Sequence, residues 1–186
     1  MSISTTDIPG YVAGTWTSDP VHSDVSFTVR HMMVSKVRGS FTRFEVEVIT
    51  AEQPAQSSVN ATIELDSIDT HNSQRDDDLR SSNFLDIANY PQLTYRSTGL
   101  RAAGPYFFID GELSLHGVTT SVPLALEFNG FTMDPYGGTR AGFSATATIE
   151  RSDFGITTSM AMDGGGVVVG DTIAITLEIE AVLKEN

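Results

Sequence analysis

The sequence predicts an all-β protein of about eight long antiparallel strands at hairpin spacing, with one short helical insert near residues 73–88. Three observations predict it. Apolar and polar residues alternate through most of the chain between Trp16 and Leu183, which is the period of a half-buried strand. Gly, Pro and Asn clusters interrupt that alternation at hairpin intervals. Only residues 72–95 break the pattern with helix signals. A sandwich or a closed barrel satisfies this pattern, and two features favour the barrel. Several strands run to about ten residues, longer than the usual five or six. Charges also fall on one face: Glu45, Glu47, Glu64, Asp66, Asp110, Glu112, Glu127, Glu178 and Glu180 all oppose the large apolar residues of their strands.

Residues 1–14 are polar and read as a flexible leader, leaving residues 15–186 as a single domain. The first strand covers 15–19, turns at Pro20 and resumes over 22–33, with Phe27, Val29 and His31 on its inward face. Gly39 reads as the break before a strand over 40–50, whose inward residues are Phe44, Val46 and Val48. Phe41 and Phe44 have opposite parity, which predicts a bulge near Thr42 and Arg43. A loop at Pro54 leads to Val59, Ala61, Ile63 and Leu65, alternating with polar residues.

In the helical stretch, Ser73 and Asp76 fit a capping-box pattern, and Asp76, Asp77 and Asp78 place negative charge in the first turn. Leu79, Phe84, Leu85 and Ile87 supply its apolar side, and Pro91 ends it. The strands that follow present Leu93 and Tyr95; Phe107, Ile109, Gly111, Leu113 and Leu115; Leu124, Leu126 and Phe128; Phe143, Ala145 and Ala147; and Ile173, Ile175 and Leu177. Residues 151–170 read as irregular.

A formal net charge of −13 argues against nucleic acid and anionic membrane surfaces as partners of the molecule as a whole. The absence of cysteine removes disulfides, thiolate nucleophiles and Cys-based metal sites. The first residues show no basic region followed by an apolar one, and no run approaches a membrane-spanning helix; a cytoplasmic protein is expected. No catalytic site is expected either. Residues 142–146 are not a nucleophile elbow, His22, Ser23 and Asp24 alternate between faces, and Asp163 with its three glycines lacks the ending of a phosphate loop. His71 with Asp76, Asp77 and Asp78 fans over too wide an arc for a coordination shell, so no metal is expected and the aspartates are read as a solvated first turn.

Three blocks in matching order carry a family resemblance: WTSDPVHSDVSFTVRHMMVSKVRGSFTRFEVEV, RDDDLRSSNFLDIANYPQLTY, and GFSATATIERSDFGI followed by VGDTIAITLEIEAVL. They resemble the YceI family over residues 16–183. The resemblance implies an extended, lipocalin-like antiparallel barrel holding a long isoprenoid or other lipid, such as a polyprenyl phosphate or an isoprenoid quinone, and a homodimer. The chain departs from the family's habit of a His at Asp78 and a second Phe at Leu85.

A lipid also follows from the residues. A charge-free lumen draws in an apolar chain at about 25 cal/mol per Å² buried, so roughly 400 Å² of tail supplies about 10 kcal/mol before ordering costs. Small inward residues such as Ala61, Gly111, Ala145 and Ala147 leave room for it. The candidate ligand contacts are Phe27, Val29, His31, Phe44, Val46, Ile63, Leu65, Tyr95, Phe107, Leu113, Phe128, Phe143, Ile175 and Leu177. Leu79, Phe84 and Leu85 join them from the helix, and Phe154, Ile156, Met160 and Met162 from the irregular stretch. His31 is the one titratable group on the inward parity of its strand and could bond a polar head group. Core packing is the competing role for each, with a filled barrel acting through its surface as the competing function.

Overall fold

Closure depends on the last strand. In the computed structural model, which describes residues 3–159 and 168–185, β12 (Val169–Leu183) divides its length between two partners. Its residues Ala181, Val182 and Leu183 pair with β1 (Gly14–Ser18), while the portion from Val169 to Glu178 pairs with β2 (Asp24–His31). β1 and β2 therefore act as one bent strand. β3 (Ser35–Phe41) and β4 (Phe44–Thr50) form a second, broken at Thr42 and Arg43 where the parity of Phe41 and Phe44 predicted a bulge.

The other strands are β5 (Ser58–Glu64), β6 (Ile68–Asp69), β7 (Gln92–Ala103), β8 (Tyr106–Leu115), β9 (Val118–Ser121), β10 (Leu124–Met133) and β11 (Thr139–Glu150). The order β1-β4-β5-β7-β8-β10-β11-β12 returns to β1, a closed eight-stranded antiparallel barrel, and β2, β3 and β6 extend one end of it. The predicted fold class is the observed one. Its parity also holds: Ala61, Ile63, Tyr95, Leu113, Leu124, Phe143, Ala145 and Leu177 all pack in the interior.

Local features differ from the sequence reading. The turn after β2 is at Met32 and Met33, not at Gly39. Both methionines have positive φ (51° and 62°), and the Val34 amide donates to the His31 carbonyl at 3.2 Å. Gly39 instead lies inside β3 because the Phe27 ring crosses it; a Cβ there would lie 2.4 Å from Phe27 Cζ. Helix α1 (Ser73–Arg80) is shorter than expected, and Asn72, not Ser73, caps it by accepting the Arg75 amide. It stops at Ser81 because short polar side chains compete for the backbone: Ser81 Oγ donates to the Asp78 carbonyl and accepts the Asn83 amide. Residues 81–90 continue as turns.

The expected leader is not loose. Ile3 and Ile8 are buried, and Tyr11 donates to the Ala51 carbonyl and packs on Phe131. β9 and the register shifts at Ser97/Gly99 and Phe128/Gly130 had no sequence signal that the alternation revealed.

Two clusters of buried side chains fill much of the interior. Trp16, Val25, Val46, Ile63, Ala141, Phe143, Ile179 and Ala181 form one. Leu65, Tyr95, Leu113, Leu115, Val122, Leu124, Ala145, Ile149, Phe154 and Ile156 form the other.

Candidate functional site

Where the inward side chains are small or stop short of one another, the barrel interior stays open. The opening offers about 150 Å³ to the centre of a water-sized sphere, about ten times the room one water needs. Its wall draws on β2, β3, β4, β5, β7, β8, β10, β11 and β12, so it is the lumen itself and not a crevice between strands. Of the residues predicted to contact a ligand, Phe27, Val46, Ile63, Tyr95, Leu113, Phe128, Phe143, Ile175 and Leu177 line it, together with the small residues Ala61 and Ala145.

The other predicted residues lie elsewhere, for identifiable reasons. Val29 and His31 share the parity of Phe27, but β2 has by then run past the lumen. Val29 sits between Val37 and Ile173, and His31 ends the strand opposite Ser35 and Val169. The inward placement expected of His31 is therefore corrected: the residue is not part of the cavity wall. Phe44 packs against the Trp16 cluster, and Leu65 is fully buried in the other one. Phe107 stands behind the wall, with its ring edge-on to Phe128 at 5.2 Å. Leu79 is half-buried on α1, while Phe84 and Leu85 pack on the core from the turns that follow. Phe154 and Ile156 are buried core residues. Met160 and Met162 lie outside the described residues.

Sequence reasoning missed Tyr11, Thr50, Ser57, Ser58 and Ser97, which line the lumen beside Val48, Val59, Gly99 and Leu100. Their hydroxyls spoke for solvent, yet several are spent within the protein. Tyr11 Oη lies 2.7 Å from the Ala51 carbonyl and 3.1 Å from Ser57 Oγ. Thr50 Oγ1 accepts the Trp16 indole N–H at 2.8 Å, and Ser97 Oγ accepts the Val59 amide at 2.8 Å. Tyr95 likewise turns its hydroxyl to the Val122 carbonyl at 2.8 Å. Burial holds the Tyr95 phenol well above its ordinary pKa, so it stays a neutral donor. The wall thus offers an incoming molecule carbon almost throughout, and no charged side chain among the described residues lines it.

Polar chemistry sits at the surface. Asp19, His22 and Glu180 bring atoms of metal-ligand type close together, but the Arg140 guanidinium occupies the space among them. Its Nη1 donates to Asp19 Oδ2 at 2.8 Å and to Glu180 Oε1 at 2.7 Å, and its Nε to Asp134 Oδ2 at 3.1 Å. At the acidic start of α1, Asp77 and Asp78 are exposed as expected, but Asp76 is buried and accepts the Thr70 amide at 3.0 Å. No helix among the described residues is long and apolar enough to cross a membrane.

Comparison with known proteins places this barrel. Residues 16–181 match the YceI-like domain. Protein YceI of Salmonella newport is 40% identical over 140 residues, covering 75% of this chain and 73% of that one. The Campylobacter jejuni YCEI protein superposes with a TM-score of 0.71 at 27% identity, over 84% of this chain and 90% of its own. A polyisoprenoid-binding domain from Saccharophagus degradans shares the fold, with a TM-score of 0.70 at 14% identity over 93% of this chain and 100% of its own. The eight-stranded closure, the order of the three sequence blocks and these matches agree: the chain belongs to the YceI-like family.

Proposed function

We propose that this protein binds a long apolar lipid in the barrel lumen, without covalent attachment or turnover, to carry or buffer it. A prenyl chain is the ligand class favoured, of the kind found in polyprenyl phosphates and isoprenoid quinones. The observation that supports this most is the chemistry of the wall: most of its hydroxyls are held by the protein's own backbone and side chains, while Phe, Leu, Ile and Val carbons face the space. Such a surface rewards apolar contact and gives nothing to a polar solute, which would lose its water without replacement bonds. The likeness to a polyisoprenoid-binding domain agrees with that ligand class.

In this reading Phe27, Val46, Ile63, Tyr95, Leu113, Phe128, Phe143, Ile175 and Leu177 touch the tail, and any charged head group stays outside the lumen. Native mass spectrometry of protein purified without detergent, followed by organic extraction, tests it. A stoichiometric prenyl species is expected. Protein that is folded, empty and unable to take up added prenyl lipid would leave the lumen as packing space and point to a role for the outer surface.

A further inference from the structure

We propose that the β2–β3 hairpin docks the protein on anionic lipid bilayers. Although the chain carries a net charge of −13, residues 25–44 contain four basic side chains, Arg30, Lys36, Arg38 and Arg43, and no acidic one. Arg43 is taken up by Asp66. Arg30, Lys36 and Arg38 have no carboxylate within ion-pair distance among the described residues. The acid beside them on β12, Asp171, is engaged by the Ser152 amide and hydroxyl at 3.0 and 2.7 Å. The global charge that argues against a membrane partner is thus locally reversed at this one projecting element.

The tip of the hairpin is apolar. Met32, Met33 and Val34 are 41%, 53% and 85% exposed. The geometry of that turn adds an independent observation. A tight turn with positive φ at both central positions, here Met32 and Met33 between His31 and Val34, is ordinarily made by Asn-Gly or Asp-Gly, because a Cβ there crowds the following carbonyl oxygen, a cost that Gly avoids and Asn or Asp offset by local hydrogen bonds. Here two methionines occupy it and extend into solvent, in a conformation that a pair of small residues would adopt with less strain. Flexible, polarizable side chains at the tip and cations on the flanking strands match the layers of an anionic bilayer, acyl chains below and head-group charge above. The same strands carry Phe27 and Phe41 into the lumen wall, so a docked hairpin would face one end of the cavity toward the bilayer. Its use in lipid delivery rests on the function proposed above, whereas the docking itself does not.

Co-sedimentation of the whole protein with vesicles tests this. Binding is expected to phosphatidylglycerol–phosphatidylcholine vesicles and not to phosphatidylcholine alone, and should weaken as salt is raised. Lys36→Glu with Arg38→Glu should lower partitioning by about five-fold for each cation removed, so by at least about twenty-five-fold together. Met32→Asn with Met33→Gly supplies the residues that the turn prefers, so the fold should be as stable or more so while vesicle binding falls. No binding to anionic vesicles overturns the proposal. So does unchanged binding in the Asn-Gly variant, which would reduce the hairpin to an unspecific cationic surface. Lipid found in the lumen of a protein that ignores vesicles removes the docking element alone; vesicle binding by a protein whose lumen stays empty removes the carrier reading alone.

Discussion

Gly111 sets where the Tyr95 ring can lie. A Cβ at this position would stand 2.4 Å from the Tyr95 hydroxyl and 2.7 Å from the Arg96 carbonyl, and the latter is backbone that cannot rotate aside. Gly111→Ala is expected to destabilise the fold by about 1–3 kcal/mol through overpacking, read as a lower urea midpoint with unchanged slope. Ala145 is the opposite case, a small side chain beside free space, between Leu126 and Leu177 in the sheet. Ala145→Phe should project a ring into the lumen and weaken prenyl-lipid affinity by about ten-fold or more, about 1.4 kcal/mol, with β content retained. Titration with a fluorescent prenyl lipid, with circular dichroism beside it, measures both. Undiminished binding would mean that the lipid does not use this part of the lumen. The inward placement of both residues was legible from alternation alone. The job of Gly39 was not, because nothing local to Gly39 records that Phe27 from the neighbouring strand lies across it.

At the scale of elements, periodicity located the strands well and their ends less well. An end depends on side-chain bonds that reach over sequence distance. The Asp76 carboxylate ties the start of α1 to the end of β6, accepting the Thr70 amide, while Arg75 Nη2 donates to the Thr70 carbonyl at 2.8 Å. Read locally, three successive aspartates at a helix start are a dipole match. Only the fold shows that Asp76 is buried and the other two exposed. Asp76→Ala would leave the buried Thr70 amide without its acceptor, at a cost of about 1–3 kcal/mol. Hydrogen exchange should rise first in residues 70–80, and protection there equal to the parent's would rule out the clamp. Arg151 escaped sequence reasoning for the same reason. It is 5% exposed and donates to the carbonyls of Ile156, Thr158, Val169 and Gly170, fastening the start of β12 to the irregular stretch before it. The lumen wall, in turn, was legible wherever parity and strand length agreed. It failed where a strand outran the cavity, as at Val29 and His31.

For the whole molecule, Arg140 links three distant stretches of chain at one end of the barrel: Asp19 in the β1–β2 link, Asp134 after β10, and Glu180 on β12. The bonds from His22 and Arg140 hold the Asp19 carboxyl well below its ordinary value; the Gly138 and Tyr136 amides, with Arg140, do the same for Asp134. A carboxyl whose pKa is depressed by folding stabilises the native state above its unfolded value, about 3.9. That contribution is lost as pH falls below 3.9 and through the lower folded pKa. Arg140→Met leaves three carboxylates facing one another without their cation, so its deficit in stability should be largest where all are ionised. Thermal midpoints of the two proteins should differ by several degrees at pH 7. The gap should narrow from about pH 4 downward and still be closing at about pH 2, because the strongly depressed Asp19 carboxyl of the parent takes up its proton only at lower pH. Raising salt at pH 7 should narrow it as well, since Arg140 is partly exposed. A gap that stayed constant between pH 7 and pH 3 would assign the effect of Arg140 to the packing of its aliphatic stem against the barrel end, with the charge contributing nothing.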